Sequence, residues 1–442
     1  MRPRIAVVHH SRRGSMRTLA RAAAEGVRAA GGEVRLLRVA DEEAAGVEWP
    51  ERVAGPNDVL WANGLVLATP TYFGNVSAPF KRFLDSTSPL WRRRLLSDRV
   101  VTGMTSSTCT HGGREATLLS LHQTAYHWGS WVVGADPFAP AFGRSGGNPY
   151  GLSVDSRPDG PDGAERDAAR LLGHRLTGLT ARVHRGHAAA AEARPVRVTV
   201  VHCADEEPAR LLAQECAAGA RSVGARVRLR RVASERRPAR AAAVATAEDV
   251  AWADAVVFGA PARLGGMAAS LLRFVQSLDS GDRPGPLSGK PASGFVTAAR
   301  AHSGGESALL AFHHALLHSG AVVVPPGFTD PVVFEAGGNP YGTSHPMTAG
   351  ALPTREALAA VAYQGRRTAL AGDLLRRPAA GPARRAAVDD HRAVVDDRLD
   401  ESLGGLRDES AAVRRDRRVL RGIQDPAHGA LPGAGQLPAD AR

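Results

Sequence analysis

The chain has 442 residues, 43% of them hydrophobic and 23% charged. Each half is therefore long enough to bury a core of its own, and the composition is that of a folded protein rather than a charged, disordered polymer. The net charge of +12 rests on arginine, because Lys81 and Lys290 are the only lysines. No basic stripe interleaved with aromatics is present, which argues against nucleic-acid binding. No apolar run is long enough to span a bilayer, and the opening residues lack the long apolar core of a secretory leader. Cys109, Cys203 and Cys216 are widely spaced and form neither a CxxC pair nor a zinc pattern. The expectation is a cytoplasmic protein with reduced thiols and no bound metal.

In chain order, residues 5–8 are a short apolar, β-branched run, as expected of a strand buried on both faces. Residues 18–30 are alanine-rich with apolar spacings of three and four, which predicts a helix stopped by Gly31 and Gly32. Strands are predicted at 33–39, 64–68, 99–105 and 131–133, the second of these ending at Thr69 and Pro70. Helices are predicted from 80, over 115–127 and over 162–183. Such alternation with short connections argues for an α/β fold: a doubly wound parallel sheet covered on both faces.

The same series then repeats. Residues 5–10 (IAVVHH) return as 198–203 (VTVVHC), 35–40 (RLLRVA) as 228–233 (RLRRVA), and 61–64 (WANG) as 252–255 (WADA). Residues 68–74 (ATPTYFG) return as 259–265 (GAPARLG), and 147–151 (GNPYG) as 338–342. A period of about 190 residues is a domain duplication, not a solenoid. The expected division is 1–186 for the first domain, 187–195 for a linker with an alanine-rich helical stretch, 196–377 for the second domain, and 378–442 for a tail. The tail is rich in Arg, Asp, Gly and Pro, and is expected to be mostly disordered with a helix near 388–406.

In an open parallel sheet, ligands bind beyond the carboxyl ends of the strands. Three such ends in the first copy carry donor-rich, glycine-containing loops. Ser11, Arg12, Arg13, Gly14, Ser15 and Met16 lie between the first strand and first helix, where free amides and positive charge suit a phosphate dianion or a simple helix cap. Thr71, Tyr72, Phe73, Gly74 and Asn75 offer amides and two stacking faces to a flat heterocycle. Ser107, Thr108, Cys109, Thr110, His111 and Gly112 form the third loop. Convergence of the three fits a phosphorylated, ring-bearing cofactor. His127 by itself reads as a helix-end histidine, and Trp91 as a half-buried packing residue.

The order SxxGSM, TPTYFGNVSAPFKRFLD, SSTCTHGGREAT, HWG and GGNPYG resembles the WrbA family of NAD(P)H:quinone oxidoreductases, which are flavodoxin-like and bind FMN. The resemblance covers most of 4–185 and, more loosely, 196–376. It implies that residues 11–16 hold the FMN phosphate and that Thr71, Tyr72 and Phe73 lie beside the isoalloxazine. Residues 107–112 would form the second ring-and-ribityl loop. His127 would contact a flavin from a neighbouring subunit, and Trp91 would lie over the substrate face. Arg13 stands where the family has a nicotinamide-contacting Tyr, Tyr72 replaces an Arg, and Cys109 and His111 replace two glycines. The implied activity is electron transfer from NAD(P)H to a quinone-like acceptor, donor and acceptor visiting one site in turn.

The second copy is degenerate. Asp205, Glu206 and Glu207 replace Arg12, Arg13 and Gly14, which preserves the helix dipole but repels a phosphate. Arg263, Ser303 and the 338–342 turn persist, and His318 aligns with His127. The expectation is that this copy lacks FMN and acts as a pseudo-subunit, with His318 donated to the first copy's flavin. The family's tetramer of single domains would then be mimicked by a homodimer. Two rivals stand beside this reading: a non-catalytic flavodoxin-like scaffold that binds a partner, and a flavin reductase feeding a dedicated partner enzyme.

Overall fold

Strand and helix alternate through both copies wherever the apolar patterning places them. The computed structural model describes residues 2–41, 50–185, 194–203, 207–233, 244–281, 283–347 and 351–376. The predicted linker helix and the tail fall outside the described residues, as do Asp205 and Glu206.

In the first copy the order is β1 (Arg4–His9), α1 (Ser15–Ala29), β2 (Glu33–Arg38), β3 (Arg52–Val53), α2 (Pro56–Trp61), β4 (Gly64–Tyr72) and β5 (Asn75–Val76). There follow α3 (Ala78–Asp85), α4 (Ser88–Arg92), β6 (Val100–Ser107), α5 (Arg114–Trp128), β7 (Trp131–Val133), α6 (Pro140–Arg144), β8 (Leu152–Asp155) and α7 (Gly163–Arg185). The second copy runs β9 (Arg197–His202), α8 (Glu207–Arg221), β10 (Arg226–Arg231), α9 (Ala247–Trp252), β11 (Ala255–Arg263), β12 (Gly266–Met267) and α10 (Ala269–Gln276). It closes with β13 (Pro291–Ala298), α11 (Gly305–His318), β14 (Val322–Val323), α12 (Pro331–Glu335), β15 (Ser344–Pro346) and α13 (Arg355–Arg376). β1 and β6 are buried almost throughout, as strands covered on both faces must be. α1 turns Met16, Leu19, Ala23 and Val27 inward at helical spacing.

Within the first copy the core strands lie in the order β2-β1-β4-β6-β7, all parallel. The order reverses at β1, so the crevice beyond the carboxyl ends of β1 and β4 is the switch point at which such folds take ligands. The second copy repeats the order as β10-β9-β11-β13-β14. The two sheets are continuous: β7 and β14 pair antiparallel, with Val133 opposite Val322 and Val132 opposite Val323.

That single antiparallel step has a large consequence. The strands of the two copies run in opposite directions, so the ligand edges of the copies lie at opposite ends of the joined sheet. α5 and α11 return from those edges. The end of α5 that carries His127 therefore reaches the ligand edge of the second copy, and His318 on α11 reaches that of the first. One hydrophobic cluster spans the junction, joining Leu118, Leu121 and Tyr126 to Leu309, Phe312 and Leu316. Arg367 is buried there, with its guanidinium on Asp98 Oδ1 at 2.7 Å, Gly129 O at 2.6 Å and Pro325 O at 2.9 Å.

Burial pushes the imidazoles of His122 and His313 down to about 3, and those of His9 and His202 down to about 4. The unfolded chain, with histidines near 6.5, then binds more protons, so the stability present above pH 6.5 is lost as the pH falls toward 4. At pH 5.5 each such histidine costs about 1.4 kcal/mol. Thermal unfolding at pH 7.5 and 5.5 is expected to show a marked drop in Tm, and a His122→Leu/His313→Leu chain is expected to lose about half of it.

Candidate functional site

The loops after β1, β4 and β6 close round a cleft of about 760 Å³, within the range of small-molecule sites. On one side is the start of α1. Gly14 caps it in a left-handed conformation, φ 90°, and the cap itself supplies no side-chain hydrogen bond to the first turn. No acidic residue lies in that turn. By contrast, Thr246 caps α9 and Asp330 caps α12 through their side chains. The open amides of α1, the hydroxyls of Ser11 and Ser15, and the charges of Arg12 and Arg13 face the cleft together. This donor set fits a phosphate dianion.

The second side is a tight hairpin, β4 against β5, with Thr71 opposite Val76 and Tyr72 opposite Asn75. Its two turn residues, Phe73 and Gly74, both have positive φ, 49° and 74°. Two such residues in succession match the turn type that suits hairpin twist, although a phenylalanine there is strained. Leu264 repeats this conformation in the second copy at φ 50°, so the strain belongs to the shared hairpin. Thr71 Oγ1 lies 2.8 Å from Thr105 Oγ1, which donates to Thr69 O at 2.7 Å. Arg12 lies over the Tyr72 ring, 6.0 Å from its centroid. The third side is folded on itself: Ser107 Oγ and Gly112 N both donate to Cys109 O, at 2.5 and 3.0 Å.

The structure gathers twelve of the expected residues on this cleft: Ser11, Arg12, Arg13, Ser15 and Met16; Thr71, Tyr72 and Phe73; Ser107, Thr108, Cys109 and Gly112. Gly14 shapes its floor without lining it, and Gly74 and Asn75 turn the hairpin behind it. Pro70, Ser106 and Ser156 also line it. Ser156 follows β8, a four-residue strand the sequence reading passed over; the alternation of residues 152–155 was the available signal.

Thr110, His111 and His318 line a neighbouring cleft of about 860 Å³ with Arg144 and Asn148. Within that second cleft Thr110 Oγ1 lies 3.4 Å from Asp155 Oδ1. His318 Nε2 lies 3.1 Å from Tyr150 OH. The mirror contact places His127 Nε2 3.1 Å from Tyr341 OH in the second copy. Trp91 Nε1 donates to His127 O at 3.0 Å, and its ring packs edge-on against Phe328 at 5.5 Å. His127 and Trp91 thus stand at the second copy's edge and not on the first copy's cleft, because the sheets join antiparallel. Burial lowers the pKa of His127 from its ordinary value, against the raising influence of Glu306.

The second copy keeps the hairpin and loses the polar lining. Ala260, Ala262, Val296 and Ala298 stand where the first copy has Thr69, Thr71, Thr105 and Ser107. Glu207 opens α8 and pairs with Arg210. Ser303 closes its loop through Arg300, accepting from the amide at 2.8 Å and donating to the carbonyl at 2.9 Å. Arg263 remains, exposed at the end of β11.

The profile of the NADPH-dependent FMN reductase family matches the chain twice, over residues 3–143 and 173–331, more than half of its length. An NAD(P)H dehydrogenase (quinone) of Chromohalobacter salexigens is 36% identical over 197 residues, which cover 41% of this chain and 98% of that protein. One of Deinococcus radiodurans is 34% identical over 181 residues, covering 38% and 90%. Among solved structures, a flavodoxin, WrbA-like protein from Agrobacterium tumefaciens matches at 23% identity and TM-score 0.31, covering 40% of this chain and 97% of that one. The double match in sequence order shows that the chain belongs to the NADPH-dependent FMN reductase family, as a tandem duplication whose copies are similar to the NAD(P)H dehydrogenases (quinone).

Proposed function

We propose that the first copy holds FMN and that the chain passes electrons from NAD(P)H to a quinone-like acceptor. The observation that carries this is the uncapped, acid-free start of α1, with Arg12 and Arg13, opening onto the same cleft as the Thr71–Tyr72 hairpin. Bound FMN supplies the two-electron chemistry. The residues of the chain do the rest. The α1 amides, Ser11 and Ser15 bind the phosphate, Tyr72 and Phe73 offer stacking faces, and Ser107 with Thr108 faces the ring and ribityl chain.

The second copy is the pseudo-subunit of this arrangement. It supplies His318, which fixes Tyr150 of the GNPYG turn beside the cleft, while its own edge has exchanged hydroxyls for alanine and valine. One flavin per chain follows. The division at 187–195 and the pairing of two chains into a four-domain assembly belong to the same proposal.

Purified protein is expected to be yellow, with flavin absorbance corresponding to one FMN per chain, and to bleach under NADPH or NADH. His318→Ala is expected to lower turnover about tenfold, as loss of a positioning hydrogen bond does. Flavin affinity and turnover both unchanged in that variant would remove the second copy from the site. A colourless chain that takes up no added FMN would favour the non-catalytic scaffold.

A further inference from the structure

A buried polar chain links the end of β1 to the β4–β5 hairpin. His10 follows β1 and is 2% exposed. Its Nε2 lies 2.9 Å from Asp41 Oδ2, and its Nδ1 lies 2.8 Å from Ser77 Oγ. Ser77 Oγ lies 3.1 Å from Thr69 Oγ1, which also accepts from Ser77 N at 3.1 Å. The same Asp41 oxygen accepts from Arg12 Nε at 3.2 Å. A carboxylate only accepts, so Nε2 carries the proton toward Asp41, and Ser77 Oγ donates to Nδ1 when the ring is neutral.

Ser, His and Asp stand here in the order of a nucleophilic triad, but Ser77 is 1% exposed and precedes α3. No substrate reaches it, and its hydroxyl is spent on His10. What the chain does is mechanical. It ties the loops after β1 and β2 to both feet of the β4–β5 hairpin, Thr69 and Ser77. The cation of the phosphate loop and the loop beside the ring hang from one carboxylate oxygen.

The second copy is an internal control. There Cys203 replaces His10, Ala268 replaces Ser77 and Ala260 replaces Thr69. The hairpin still forms, with the same left-handed turn at Leu264. Cys203 Sγ approaches Ser270 Oγ instead, at 3.3 Å. The buried network is therefore not required to fold this hairpin. It is present in the copy with the open phosphate site and absent from the copy with acid at the start of its helix.

We infer that Asp41, His10 and Ser77 are positioning residues that lock the ring loop to the phosphate loop for FMN, an inference that rests on the flavin reading above. The test uses the full chain stripped of flavin and titrated with FMN by fluorescence quenching, alongside the visible circular dichroism of the bound flavin and the Tm of the flavin-free protein. His10→Cys and Ser77→Ala, which install the second copy's residues, are expected to raise the FMN Kd at least tenfold and alter the dichroism. The flavin-free Tm should change little. His10→Gln, whose amide can both donate to Asp41 and accept from Ser77, should restore Kd to within about threefold. A Kd within threefold of the unmodified chain in both the Cys and Ala variants overturns the inference, as does an equal loss in the Gln variant. If the unmodified chain takes up no FMN, the flavin reading falls and this inference with it; if the unmodified chain and both the Cys and Ala variants bind FMN alike, the inference alone falls.

Discussion

Ser15→Asp is expected to raise the FMN Kd about a thousandfold or more while leaving the fold of the first copy intact or slightly more stable. Ser15 is the first residue of α1 and lines the cleft. A carboxylate there would satisfy the amides that no side chain now caps and would complement the helix dipole, a gain of about 0.3–1 kcal/mol. Against a phosphate in the same place it sets like charges together. At about 4 Å and an effective dielectric of 20, one such pair costs about 4 kcal/mol, and every 1.4 kcal/mol is tenfold in affinity. The two effects have opposite signs, so the experiment separates them: Tm of the flavin-free chain holds or rises while FMN binding collapses. Riboflavin, which has no phosphate, is the control, and its affinity should fall far less. Equal loss for both flavins would show that the start of α1 does not receive the phosphate.

A related exchange, acid for Arg12, Arg13 and Gly14, was legible in the second copy as Asp205, Glu206 and Glu207, because it changes residue type at positions fixed by the repeat. The strand–helix alternation was legible for a related reason. Burial on both faces leaves an uninterrupted apolar run in β1 and β6, and the one-sided helix α1 keeps its spacing of three and four. β4 ran past its expected end at Thr69 and Pro70 to Tyr72, because beyond the sheet its partner is β5, a pairing the periodicity of one strand cannot announce. The junction was hidden altogether. Residues 131–133 read as a short apolar strand, and nothing in them says that they pair with residues 322–323 to finish one sheet against the other. That pairing decides which edge His127, Trp91 and His318 reach; the resemblance pointed His318 toward the first copy, but the antiparallel junction that carries it there was not in the sequence. The His10 chain was hidden because its members are 31 and 67 positions apart and each is an ordinary strand-end or helix-cap residue.

Gly327→Ala is expected to destabilise the chain by about 2–5 kcal/mol, combining overpacking of about 1–3 kcal/mol with left-handed strain of about 1–2 kcal/mol. Gly327 has φ 55°, and a Cβ on it would fall 2.2 Å from Gly129 Cα and 2.5 Å from Gly129 N. Those are backbone atoms of the other copy, so no rotamer change relieves the clash. They cannot retreat easily either, since Gly129 O is held by buried Arg367, which also grips Pro325 O two residues before Gly327. Gly281 supplies the control: its φ is 65°, but nothing lies within 4 Å of the Cβ position, so Gly281→Ala carries only the left-handed strain of about 1–2 kcal/mol. Denaturant titration of the two variants separates packing from backbone strain. The cost of Gly327→Ala should also appear in both copies at once, as one shifted transition followed by flavin release and by circular dichroism together, because the clash opens the seam through which β7, β14 and the shared hydrophobic cluster join them. If Gly327→Ala costs no more than Gly281→Ala, the two copies are not close-packed at this point, and the seating of His318 beside Tyr150 loses its support.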